Sequence, residues 1–85
     1  MPEIQFAAQP AAALSKFEFM DRFTMAELSA IESAGETDPE VRVWMRMMGM
    51  ANFIELDHPR VTSGMEMLVQ KGVITETRKN ELLQA

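Results

Sequence analysis

One histidine, His58, sits in the stretch "ELDHPRV" over residues 55–61. Histidine is the side-chain type best suited to proton transfer near neutral pH, and with Asp57 beside it the pair has the composition of half a catalytic triad. Neighbours in a helix-entry turn tend to point apart, however, and triads are assembled from residues distant in sequence. A metal centre needs several converging ligands, and one histidine among scattered carboxylates has no such spacing. Cysteine is absent, which removes thiolate chemistry and disulfide staples. No serine lies in a G-x-S-x-G elbow, and there is no glycine-rich phosphate loop. This reading assigns no catalytic residue, no cofactor and no metal ligand, and leaves "DHP" as the start of a helix.

The elements around it follow the same grammar. Ser15 and Glu18 have the S-x-x-E spacing of a capping box, which opens a short helix through "FEFMDR". Thr24 and Glu27 repeat it, with Phe23 and Leu28 spaced as a hydrophobic staple; a helix over 25–34 follows, with Leu28 and Ile31 inward and Gly35 as its stop. Asp38 caps the longest helix, with Pro39 in the first position and Glu40 near the positive end of the dipole. It is expected to run to Phe53 or Ile54, with Gly49 a weak point inside it. In the next helix Asp57 or His58 caps, Pro59 lies in the first turn, and Val61, Met65, Leu68 and Val69 share a face. Gly72 ends it, Val73 or Ile74 folds back on it, and Thr75 caps a last helix over 76–84 carrying Leu82 and Leu83.

Residues 1–14, "MPEIQFAAQPAAAL", differ from the rest. Pro2 and Pro10 forbid continuous helix, and Ile4 and Phe6 alternate as an extended arm would. The expected fold class is all-α: a small bundle of about four helices over residues 15–85, with an extended or flexible N-terminal arm over residues 1–14 that Ile4 and Phe6 can clip onto a neighbour.

The totals bound the function. A chain of 85 residues is one domain with a thin core. Its 47% hydrophobic and 25% charged residues are ordinary for a globular protein. The net charge of −5 comes without clustered Lys or Arg, which argues against nucleic-acid binding. No apolar run approaches the roughly 20 residues of a membrane span, and "MPEIQFAAQP" lacks the basic start of a signal peptide; the expectation is a protein that is cytosolic where it is made.

The central helix carries the strongest functional signal. At 100° per residue, "EVRVWMRMMGMANFIE" shows two apolar stripes, one of Val41, Trp44, Met48 and Ala51, the other of Val43, Met47, Met50 and Ile54. A surface helix needs only one stripe, about 100° wide or a little more. Either this helix sits centrally and its neighbours cover both stripes, or the second stripe faces a partner. Methionine, adaptable and over-used at binding faces, favours the partner; Trp44 reads as a core anchor.

The order "FxxRFTxxELxAI", "DPxVxxW", "IxLDHPxVxxGxxxLxxxGxIT" and "ELL", spanning most of the chain beyond the arm, resembles a family of small, uncharacterised phage and prophage proteins. Their genes typically lie in the tail and tail-fibre region. The family has no catalytic motif to carry over. The Met-rich central helix departs from the family pattern. Separately, "LVQKGVITETRKNELL" is similar to short helical hairpins with a Gly-x-Ile-Thr turn at the C-termini of unrelated bacterial proteins, which implies a hairpin between the last two helices.

The resemblance and the second stripe together lead to a non-enzymatic phage structural or assembly protein. It would bind tail or other virion proteins, with self-association as a further option, and would be found in the host cytoplasm during assembly and then in the virion. The partner-binding residues are expected to be Val43, Met47, Met50, Ile54, Ile4 and Phe6. The alternative is a small acidic phage inhibitor of a host enzyme or defence complex.

Overall fold

Five residues punctuate the folded chain. Ser15, Thr24, Asp38, His58 and Thr75 each have extended backbone, and each side chain accepts from a backbone N–H of the turn that follows. The computed structural model describes residues 13–84. In order these form β1 (Ala13–Ser15), α1 (Lys16–Asp21), α2 (Met25–Thr37), α3 (Pro39–Met50), β2 (Phe53–Glu55), α4 (Pro59–Gln70) and α5 (Glu76–Leu82). Both expected capping boxes are complete. The Glu18 N–H donates to Ser15 Oγ at 3.1 Å and the Ser15 N–H to Glu18 Oε1 at 2.8 Å; Thr24 and Glu27 do the same at 3.0 and 2.8 Å. Each box satisfies two amides that a helix start otherwise leaves without partners.

The fold is mostly helical, as expected, but the described residues form five helices rather than about four and add a two-stranded antiparallel sheet. Ala13 pairs with Glu55, Leu14 with Ile54 and Ser15 with Phe53. Ala13 and Leu14, assigned above to the arm, therefore belong to the folded unit, and Ala13 is buried. Ile4 and Phe6, with the rest of the expected arm, lie outside the described residues.

The same sheet shortens the central helix. α3 stops at Met50 because Ala51 turns to extended backbone (φ −75°, ψ 144°). Lys16 of α1 donates to the Gly49 carbonyl, one of the last-turn acceptors without a helical partner. In β2 the side chains alternate, so Phe53 and Glu55 face outward and Ile54 faces in.

Gly35 is not a helix stop. It lies inside α2 and is buried, and a Cβ there would meet Met45 Sδ at 2.9 Å. α2 ends two residues later, where Asp38 precedes a proline and is held extended (φ −115°, ψ 108°). Gly72, by contrast, acts as a stop: it adopts φ +76°, with the Val73 N–H reaching the Leu68 carbonyl and the Gly72 N–H the Val69 carbonyl, both at 2.9 Å.

The core is apolar, and no polar or charged side chain is buried among the described residues. Phe19, Val41, Met65 and Leu68 are fully enclosed, with Phe19 edge-on to Phe23 at 5.3 Å between ring centroids. α3 and α4 run antiparallel. Lys71 at the end of α4 holds Asp38 and Glu40 at the start of α3, at 2.8 and 2.7 Å. Midway the helices come close at Gly64, where a Cβ would lie 1.9 Å from Trp44 Nε1. The glycine is required there by the indole.

Candidate interaction surface

The histidine question is answered by hydrogen bonding. His58 is the N-cap of α4: its Nδ1 accepts from the Arg60 N–H at 3.1 Å, and its carbonyl takes the Thr62 N–H at 3.0 Å. An imidazole that accepts through Nδ1 spends that nitrogen on the helix start. The ring borders a cleft of about 250 Å³ whose lining includes Met47, Phe53, Ile54, Glu55 and Arg60. Among the described residues there is no group of three or more His, Cys, Asp or Glu placed to hold a metal ion.

The larger feature adjoins that cleft. Between α3 and α4 runs a groove of about 470 Å³, lined by Val43, Trp44 and Met47 from α3 and by Ser63 and Met67 from α4. Met47 and Arg60 line both hollows and join them into one lane. The fold leaves this lane uncovered, with Val43 48% exposed; Met50, which lines neither hollow but lies a turn beyond Met47 on the same face of α3, is 74% exposed. Trp44 contributes one edge while its indole N–H is buried against Gly64 and finds no hydrogen-bond partner among the described residues.

Three of the expected partner-binding residues, Val43, Met47 and Met50, therefore do share the outward face of α3. Ile54 does not. It is 1% exposed, because it lies on a strand facing the core rather than on a fourth helical turn. Ile4 and Phe6 lie outside the described residues. Phe53 and Met67 join the lane without a helical-period signal: the sequence pattern runs the helix through Phe53, whereas the two-residue period of β2 turns it out toward the lane, 39% exposed. Met67 joins only because Gly64 lets the two helices close up.

Charge distinguishes the lane from the rest of the surface. Of the eight lysines and arginines, Lys16, Arg22 and Arg42 donate to backbone carbonyls. Lys71, Arg78 and Lys79 hold carboxylates: Asp38 and Glu40, Glu27 and Glu81, and Glu66 and Glu76 respectively. These contacts hold Asp38, Glu27 and Glu66 below the usual carboxylate range, in each case mainly through the hydrogen bond from the cation. Arg46 and Arg60 have no ion pair among the described residues. Arg60 lines the lane; Arg46 lines neither hollow but lies on α3, three residues from Val43 and four from Met50.

No helix among the described residues is long and apolar enough to cross a membrane. No protein-family model matches the chain, no curated protein matches it, and no solved structure matches its fold.

Proposed function

We propose that the chain is a non-enzymatic phage structural or assembly protein that binds tail or other virion proteins through the apolar lane on α3. One observation carries the binding reading: the outward stripe of α3 is open after folding, with Val43 and Met50 48% and 74% exposed. The phage setting comes from the sequence resemblance. The mechanism is removal of apolar surface from water, worth roughly 25 cal/mol per Å². Stable interfaces cover about 800 Å² per partner, so the partner extends past the lane onto its rim. On this reading the protein is present in the host cytoplasm while particles form and in the particle afterwards.

A mass-spectrometric inventory of purified particles tests it, using wild-type protein and Val43→Glu. The wild-type chain is expected at constant stoichiometry and resistant to washing at high salt, since apolar contacts are not screened. The variant is expected to be absent. An acidic inhibitor would behave in the opposite way: missing from particles, and released from its target as salt rises.

A further inference from the structure

We propose that the lane receives one amphipathic helix of a partner whose apolar face is edged by carboxylates. This rests on the binding reading above and specifies the chemistry of what binds.

Shape comes first. The lane lies between two antiparallel helices, and the 12 residues of α3 give it a length of about 18 Å, room for about three turns of a third helix. Such a helix presents apolar side chains at i, i+3 or i+4, and i+7. Val43, Met47 and Met67 form the slot those side chains would enter, and two of the three are thioethers that repack around different shapes.

Charge selects the partner. The chain is net −5, yet of its two cations without ion pairs among the described residues, Arg60 lines this lane and Arg46 lies on α3 within one turn of Val43 and Met50. Glu40, the carboxylate lining the groove, is already held by Lys71 at 2.7 Å. Glu55 lies in the adjoining cleft but makes no ion pair with Arg60. An incoming helix with carboxylates beside its apolar face meets Arg46 and Arg60, and one with lysines there is repelled.

The same charge argues against a second copy as the occupant. A two-fold interface brings each residue near the axis against its own counterpart. Arg46 lies midway along the stripe from Val43 to Met50, so an antiparallel pairing of α3 with α3 would set arginine against arginine between two chains that each carry −5.

The full chain can be tested with its own reporter, because Trp44 is the only tryptophan and forms part of the groove. The probes are two synthetic helical peptides of about 14 residues, tryptophan-free, with the same leucine face and either glutamate or lysine along both edges. Titration followed by Trp44 fluorescence is expected to show saturable binding of the glutamate peptide, about tenfold or more tighter than the lysine peptide. That preference should shrink between about 50 mM and about 500 mM salt and reverse in the Arg46→Glu, Arg60→Glu double variant. Val43→Glu, checked for helix content by circular dichroism, should abolish binding of both. Equal binding of both peptides that Val43→Glu removes would overturn the acidic partner and leave the binding reading standing. Binding of neither would overturn both. A concentration-dependent dimer that Met50→Glu dissolves would overturn the proposal in favour of a second copy.

Discussion

Arg78 and Arg60 both lie in the first turn of a helix, and the fold uses them in opposite ways. Arg78 fastens one side of the molecule. Its Nε holds Glu27 at 2.6 Å, its Nη2 reaches the Arg22 carbonyl at 2.8 Å, and its Nη1 holds Glu81 at 3.1 Å. Arg22 in turn donates to the carbonyls of Leu82 and Gln84, so α1, α2 and α5 are tied at one junction over a core that includes Phe23 and Leu82. The Arg60 guanidinium makes no ion pair among the described residues, and the surface beside it is Val43, Met47 and Met67 rather than a closed core. A thin fold that spends its charge closing one side and leaves the other apolar and open has separated stability from binding.

Substitutions that break this division rank by what they remove. Leu82→Ala, on the closed side and 1% exposed, should cost about 2–5 kcal/mol. That is a large part of what a domain this small has, and a lowered urea midpoint at unchanged slope would show it. Gly64→Ala drives a methyl into the Trp44 indole and should cost about 1–3 kcal/mol. Because the clash is with that one ring edge, the loss should shrink in a Trp44→Phe background, and a double-mutant cycle measures the coupling.

Arg78→Leu should lower stability by less than either, and its effect should depend on pH. The hydrogen bond from Arg78 holds Glu27 below the usual carboxylate range. A carboxyl lowered in the folded state adds stability that is fully present above its unfolded value and is lost as pH falls through its folded value. The gap between wild type and Arg78→Leu in urea unfolding should therefore be widest near neutrality and close in acid. A gap that widens in acid would show that Arg78 acts mainly through the Arg22 carbonyl. The smallest effect on stability belongs to the open side: Met50→Glu should leave it within about 0.5 kcal/mol of wild type while weakening partner binding.

What the sequence could reveal divides along similar lines. The caps were legible because each is written within four residues: Thr24 with Glu27, Asp38 before Pro39, Asp57 or His58 ahead of Pro59 (the structure selects His58), Thr75 ahead of α5. The β1–β2 pair was not, since it joins residues about forty apart that carry only three-residue signals. Missing it extended α3 by a turn and misplaced Ile54. Gly35 was read as a stop because a glycine that ends a helix and one that admits a methionine sulfur from the next helix look the same in one dimension. The lane was half legible. The 100° pattern of α3 marked Val43, Met47 and Met50, but Phe53 and Met67 enter it only through the sheet and the Trp44–Gly64 contact.

Mild peroxide oxidation read by mass spectrometry tests the open lane most directly, since a methionine sulfur is oxidised according to its access to solvent. In the isolated chain Met50 and Met25, 74% and 77% exposed, should oxidise together while Met48 and Met65, 5% and 0% exposed, are spared. In purified particles Met50 should become protected while Met25, on α2, stays reactive. Met50 oxidising as fast as Met25 in both states would mean that nothing covers the outward face of α3 on which Val43 and Met47 lie, and the account would fail.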